Sequence, residues 1–230
     1  MRRTLFAAAL ILAAVPAHSA ETSTETVATA TKSASDLLFD QPQMKNTAPG
    51  STIKYGYVRR SGITKGPYGP PIDDEIKLTI EPGKDDNARD IQVQMFSGGN
   101  RVPAGPFQNM EGNPILPLFL ENHLKGVAGV LDANPRYIKN AIRKGLRDKA
   151  TVTPTQVEVK GKKVDGWRIV TKPFEGDAQT DKMRGFDTLT YTFVTSPEVP
   201  GEIVSIEAQA TMPDGGELLE EKVNYDQDAG

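Results

Sequence analysis

The sequence predicts an α+β fold, in which a curved, mainly antiparallel sheet forms an unclosed barrel and two or three helices are inserted mid-chain. Before about residue 95 and again after about residue 157, apolar residues alternate with polar ones, as in strands with one buried face. Between these regions, apolar residues recur at helical spacing. Because helices and strands do not alternate along the chain, the pattern argues against a parallel α/β sheet.

Short strands account for most of the chain. Turns rich in glycine and proline separate the alternating segments, so consecutive strands are expected to pair antiparallel. The last two segments flank Pro213-Asp214-Gly215-Gly216, which predicts a hairpin. About eight strands are predicted, and they contain residues 53–57, 76–80, 91–95, 157–159, 167–169, 189–193, 204–210 and 219–225.

Two Asn-Pro pairs predict where the helices begin. Asn113 before Pro114 and Asn134 before Pro135 combine a helix N-cap with a proline at the first helical position. In the second helix the apolar residues share one face, which is expected to cover the sheet. The other face carries five cations and no acid on a chain of net charge −3. These cations are Arg136, Lys139, Arg143, Lys144 and Arg147.

The N-terminal residues predict export. Arg2 and Arg3 precede an apolar run from Leu5 to Val15 and small residues up to Ala20, the order found in secretory signal peptides. The run is too short to span a bilayer. We therefore expect a cleaved signal peptide over residues 1–20, a disordered leader rich in Thr, Ser and Ala over 21–35, and one β-rich domain over 36–226. The periplasm is the expected compartment, and a chain without cysteine depends there on its core alone.

Several function classes find no support in the sequence. The acidic balance disfavours nucleic-acid binding. No phosphate-binding glycine loop, nucleophile elbow or calcium loop is present, so no cofactor, metal or catalytic residue is predicted. Outside the predicted signal peptide His123 is the only histidine, and its place beside Leu124 on a helix favours a structural or solvated role.

Aromatic residues near the junction of helices and sheet suggest a ligand site. A one-sided sheet covered by helices can enclose an apolar cavity for an acyl chain, although the same residues also suit an ordinary core. The cationic helix face would then meet an anionic membrane surface or an acidic protein partner, unless it is a plain solvated face. The residues predicted to contact the ligand are Tyr55, Tyr57, Phe96, Phe119 and Trp167.

Five segments resemble an uncharacterised family of exported proteobacterial proteins, a likeness that carries no activity. They are residues 38–42, 53–60, 96–99, 112–121 (Gly112-Asn113-Pro114-Ile115-Leu116 with Phe119-Leu120-Glu121) and 199–201. The order of elements is also similar to that of periplasmic lipoprotein carriers and sensors of the LolA/LolB and RseB type. That likeness implies an unclosed antiparallel barrel with a helical lid over acyl chains, and it transfers no functional residue.

Three functional hypotheses follow from the sequence. The first is a noncatalytic periplasmic carrier or sensor that binds a lipid or a lipoprotein acyl chain. The second is a cell-envelope module that binds a protein partner without a ligand. The third is an enzyme with an unfamiliar site.

Overall fold

A computed structural model of the protein describes residues 32–63 and 66–228. The predicted α+β class is confirmed, with one unclosed antiparallel sheet and the two long helices in the middle of the chain. The predicted signal peptide and most of the predicted leader lie outside the described residues and stay predictions. The domain bounds also stay a prediction, and Ala34, near the start of the described chain, is buried against the core.

Within the described residues, nine strands form a single sheet in the order β4-β3-β2-β1-β9-β8-β7-β6-β5. The strands are β1 (Thr52–Ser61), β2 (Ile72–Pro82), β3 (Arg89–Met95), β4 (Phe107–Met110), β5 (Thr151–Val159), β6 (Lys162–Thr171), β7 (Thr190–Thr195), β8 (Ile203–Thr211) and β9 (Glu217–Tyr225).

The sheet consists of two meanders that meet at its centre. Strands β1 to β4 step outward to one edge, the helices lead to the opposite edge, and β5 to β9 step back until β9 pairs with β1. Short turns allow this antiparallel arrangement. Between β5 and β6, Lys160 and Gly161 both have positive φ (50° and 74°), as a two-residue hairpin turn requires.

The strand that the sequence did not predict is β4. Its four residues lack the alternation of a half-buried strand, and their side chains are all partly or fully exposed. It pairs with β3 at the edge of the sheet through an irregular register. This strand therefore forms because it pairs with β3, and not because its own residues follow a strand pattern.

The long helices are α1 (Ile115–Leu131) and α2 (Pro135–Lys144). The predicted start of α2 is confirmed, since the Asn134 Oδ1 atom accepts a hydrogen bond of 2.9 Å from the Arg136 N–H. Pro114 occupies the N-cap position of α1, while the Asn113 Oδ1 atom accepts a 3.0 Å hydrogen bond from the Ile115 N–H. A π-helical turn, Gly145–Lys149, continues α2.

The buried amide of Asn113 fixes the start of α1 to the sheet. Its Nδ2 atom donates to the Tyr55 hydroxyl (2.8 Å) and to the carbonyl oxygen of Gly201 (2.9 Å). Its backbone N–H donates to Oε1 of the buried Gln43 (2.8 Å). Gly201 has φ +74°, and a Cβ there would lie 2.6 Å from Asn113 Nδ2. Three of the segments that carry the family resemblance, those containing Tyr55, Asn113 and Gly201, therefore meet at one point.

The core lies between the inner face of the sheet and the two helices. Phe119 and Val127 from α1 and Ile138 from α2 are buried in one apolar cluster with Tyr191 and Phe193 from β7. Burying such side chains supplies roughly 1.5–3 kcal/mol each. In a chain without cysteine, this layer accounts for the cohesion between the helices and the sheet.

Candidate functional site

A groove of about 450 Å³ lies between α1, α2 and the short helical turn Asp36–Asp40, and we call it the helical groove. Ligand-binding pockets in proteins commonly measure about 300–1,000 Å³. The residues that line the helical groove are Ser35, Phe39, Pro117, Leu120, Glu121, Leu124, Lys139, Ile142, Arg143, Leu146 and Arg147.

Helical spacing produces the apolar wall of this groove. Leu120 and Leu124 stand four residues apart on α1, and Ile142 and Leu146 have the same spacing along α2 and its π-helical continuation, so each pair forms a ridge. At the edge, Phe39 leaves 47 % of its surface exposed. Leu124, Ile142 and Leu146 belong to the buried core, so the groove has an apolar floor that is continuous with the core and an exposed edge at Phe39.

A row of cations borders the same groove. Lys139, Arg143 and Arg147 follow one another at intervals of four residues, which places them on one side of the helix. Lys139 forms an ion pair with Glu121 of α1, and the Arg147 Nε atom lies 2.8 Å from Asp148 Oδ1. The hydrogen bond from Arg147 lowers the pKa of Asp148, so both groups are charged at neutral pH. Arg143 has no ion pair among the described residues.

The remaining predicted cations do not belong to this row. Arg136 and Lys144 are exposed and do not line the helical groove. The five cations that the sequence analysis grouped together therefore separate into a groove row of three and an outer pair of two. The two sets share a helix and a charge but differ in their access to the groove.

The predicted ligand-binding aromatics occupy three different environments, and none lines the helical groove. Tyr55 and Phe119 are buried in the core. Tyr57 and Phe96 lie together beside another cavity, with ring centroids 4.7 Å apart. Trp167 is partly buried on β6, where the Lys32 Nζ atom lies 5.9 Å from its ring centroid.

This other cavity measures about 300 Å³ and lies against a different face of α1. We call it the Glu221 cavity, because that carboxylate is part of its wall. Its lining combines apolar, cationic and hydroxyl groups. The residues are Tyr57, Arg59, Pro67, Tyr68, Ile72, Met95, Phe96, Asn100, Val102, Asn122, Lys125, Gly126 and Glu221.

Glu221 links the sheet to α1 through a buried polar cluster. The side chains of Glu221 and His123 are 2 % and 0 % exposed. The Tyr57 hydroxyl donates to Glu221 Oε1 at 2.6 Å, and His123 Nδ1 lies 2.7 Å from Oε2. The imidazole and the carboxyl group therefore share one buried hydrogen bond.

Three buried polar atoms around this cluster have no hydrogen-bond partner among the described residues. They are His123 Nε2, the Tyr68 hydroxyl and the Tyr191 hydroxyl. The Tyr191 ring meets the imidazole of His123 edge-on at 5.2 Å between centroids. Because more than nine in ten buried polar groups in proteins are bonded, such a concentration marks a place for a water molecule or a polar ligand.

The tyrosines of this region stay protonated far into the alkaline range. Burial raises the pKa of Tyr57, Tyr68 and Tyr191, and the negative charge of Glu221 raises each pKa further. They therefore act as neutral hydroxyl donors at any physiological pH. Tyr57 uses its donor on Glu221, whereas those of Tyr68 and Tyr191 remain available.

Two glycines of α1 bring Tyr68 close to this cluster. A Cβ at Gly126 would lie 2.6 Å from a ring carbon of Tyr68, and a Cβ at Gly129 would lie 2.9 Å from Pro67. The Arg59 guanidinium lies 5.8 Å from the Tyr68 ring centroid and donates to the Tyr68 carbonyl oxygen. The segment before β2 thus closes one side of the Glu221 cavity.

Sequence reasoning missed Glu221, Arg59 and Tyr68 as site residues. A local signal existed for Glu221, because it occupies the inward position between Leu219 and Val223 in an otherwise apolar alternation on β9. Tyr68 gave no such signal, since it lies in a turn. Of the structural or solvated role expected for His123, burial excludes the solvated one, and its partner comes from 98 residues away in the chain.

In the described ranges, no group of three or more acids or histidines is arranged to hold a metal ion. None of the helices described combines the length and the apolar character needed to cross a membrane. Comparisons with protein families, with curated proteins and with solved structures find no match to this chain.

Proposed function

We propose that the protein is a noncatalytic carrier or sensor that holds an anionic amphiphile, a lipid or a lipoprotein acyl chain, in the helical groove. The single observation that carries this proposal is the pairing of an open apolar groove of about 450 Å³ with a row of cations along its border. The apolar wall suits an acyl chain, and the cations suit a negatively charged headgroup.

The two parts of the groove would contribute in different ways. Each methylene group that leaves water for an apolar wall gains roughly 0.8 kcal/mol, which favours a long chain over a short one. Each surface cation near an anionic group contributes about 1 kcal/mol, an amount that salt reduces. Arg143 is the first candidate for the headgroup, because no carboxylate among the described residues is paired with it.

The predicted signal peptide supports work in the periplasm, where such a carrier would meet lipids and lipoproteins of the envelope. An acidic protein partner is the competing occupant of the groove. It would use the same cations but would not need Leu120, Leu124 and Ile142 to accept an alkyl chain.

Titration of a fluorescent long-chain fatty acid into the purified protein tests the proposal. Replacing both Arg143 and Arg147 by Gln should weaken binding by about 30-fold, since two contributions of about 1 kcal/mol are lost. The matched control replaces Arg136 and Lys144 by Gln. It removes the same charge from the same helix and should leave the affinity within about twofold.

A second pair of variants tests the apolar part of the groove. Phe39→Ser should weaken fatty-acid binding, whereas Val164→Ser, on β6 away from the groove, should not change it. Native mass spectrometry of protein isolated from its own cell envelope then identifies the occupant. Absence of saturable fatty-acid binding, or equal loss in the Arg143/Arg147 and Arg136/Lys144 variants, would contradict the proposal and favour the partner-binding alternative.

A further inference from the structure

We infer that the Glu221 cavity is a separate binding site for a small organic monocarboxylate with an apolar or aromatic body. This inference does not rest on the function proposed for the helical groove. It uses a different face of α1 and different side chains.

Charge in the cavity points to one negative charge on the ligand. Arg59 and Lys125 line the cavity, and neither forms an ion pair within the described part of the chain. Among the described residues, Glu221 is the one carboxylate in the lining, and both of its oxygens are already engaged by Tyr57 and His123. The two cations exceed the one carboxylate by a single positive charge. A ligand with one negative charge balances this excess, whereas a polyphosphate carries too many negative charges.

The positions of the two cations suggest different roles. Arg59 faces Glu221 directly across the pairing of β1 with β9, is partly buried, and presents a planar guanidinium that matches a carboxylate. Lys125 is exposed on α1 and borders the mouth of the cavity. Arg59 would therefore contact the ligand carboxylate directly, and Lys125 would attract the anionic ligand to the entrance of the cavity.

The apolar part of the lining calls for an organic body rather than an inorganic ion. Ile72, Met95 and Phe96 supply that surface. Phe96 holds a φ of 64°, a left-handed conformation that is uncommon for a bulky residue and costs on the order of 1–3 kcal/mol. This backbone conformation accompanies the placement of the Phe96 ring beside Tyr57 in the cavity wall.

An unused donor in the wall favours a second polar group on the ligand. Tyr68 lines the cavity, is 3 % exposed, and carries a buried hydroxyl without a partner among the described residues. A hydroxyl or carbonyl oxygen of the ligand would satisfy it. A buried donor left unpaired costs about 1–3 kcal/mol, so ligands that supply this acceptor should bind more tightly.

Calorimetric titration with benzoate, 4-hydroxybenzoate and benzamide at neutral pH and low salt tests the site. We expect saturable binding of both carboxylates, tighter for 4-hydroxybenzoate, and at least about tenfold weaker binding of neutral benzamide, because a charged hydrogen bond is lost. Saturating benzoate should not displace the fluorescent fatty acid. The two proposals can therefore fail independently.

Variants of Arg59 and Lys125 distinguish direct contact with the ligand from long-range electrostatic attraction. Arg59→Gln should weaken benzoate binding by about tenfold or more, and Arg59→Lys should restore only part of it, because an ammonium cannot form the planar paired contact. Lys125→Gln should weaken binding by a smaller, salt-dependent factor. Lys144→Gln, an exposed lysine of α2 outside the cavity, is the charge-matched control and should have no effect.

Circular dichroism and urea denaturation establish that each variant is folded before it is titrated. Three results would overturn the inference. They are no saturable binding of either carboxylate to the wild type, equal affinity for benzoate and benzamide, and unchanged benzoate affinity in folded Arg59→Gln.

Discussion

The helical groove and the Glu221 cavity flank the same helix, α1, but differ in where their polar side chains lie. The groove consists of apolar ridges and exposed cations from neighbouring helical segments, and its polar groups either face solvent or pair at the surface. The cavity is lined by polar side chains from β1, β9, α1 and the segment before β2, several of them buried, together with apolar side chains such as Ile72 and Met95. Phe39 and the arginines of the groove are exposed and contribute little to folding, whereas the buried side chains of the cavity are part of the core.

Removal of Glu221 should therefore have the largest effect on stability. Glu221→Ala leaves the Tyr57 hydroxyl and His123 Nδ1 buried without their shared partner. Each buried polar group that is left without a hydrogen bond costs about 1–3 kcal/mol. Urea denaturation should show a lower midpoint with little change in slope.

The neighbouring acid provides the control for that substitution. Glu220 pairs with Arg60 and Lys222 at the surface, so Glu220→Ala should cost about 1 kcal/mol or less. If the two substitutions destabilise the protein equally, the buried cluster does not hold the sheet to α1, and the contrast between groove and cavity is lost.

Alkaline pH should also act on the core rather than on the groove. All six tyrosines have a raised pKa, in each case chiefly through burial. In the unfolded chain tyrosine ionises near pH 10. A raised folded pKa stabilises the protein fully below that pH, and the stability is lost as pH rises toward the folded pKa. The loss is about 1.4 kcal/mol per pH unit for each tyrosine.

Phenolate absorbance followed from pH 9 to 13 measures this effect. The native protein should show little ionisation at pH 10, where the urea-unfolded chain is about half ionised, and should then ionise together with cooperative unfolding. Four tyrosines of the core, residues 55, 57, 68 and 191, carry most of this loss. Reversible ionisation of several tyrosines near pH 10 in a folded protein would show that these side chains are accessible to solvent.

The fold was predictable because its signals are local. Alternation identified eight of the nine strands, and Asn134 with Pro135 identified the start of α2. The missing strand, β4, has no alternation and depends on its partner β3. Helical spacing predicted the cationic face, but only the packing of α2 against α1 and the Asp36–Asp40 turn divides its cations into a groove row and an outer pair.

The Glu221 cavity was less accessible to the sequence because its parts are joined only by the sheet. Arg59 and Glu221 are far apart in the chain and become neighbours when β1 pairs with β9. Glu221 and His123 meet because α1 packs against the inner face of the sheet. Aromatic residues near the junction of helices and sheet predict Tyr57 and Phe96 as ligand contacts but give no indication of the carboxylate between helix and sheet.

The smallest effect on stability is expected in the helical groove. Phe39 is nearly half exposed, so its replacement removes little buried surface from the core. Phe39→Ser and the Arg143→Gln, Arg147→Gln double variant should each change the free energy of unfolding by no more than about 0.5 kcal/mol, as surface substitutions usually do. Ligand-free protein in urea denaturation provides the measurement, with the Arg136→Gln, Lys144→Gln variant beside it. Addition of saturating fatty acid should then raise the midpoint of the wild type and of this control more than that of the groove variants, since the stabilisation by a ligand falls as its affinity falls. A groove variant that loses several kcal/mol without ligand would instead make Phe39 or the cation row part of the fold, and the separation between a surface for binding and a core for stability would not hold.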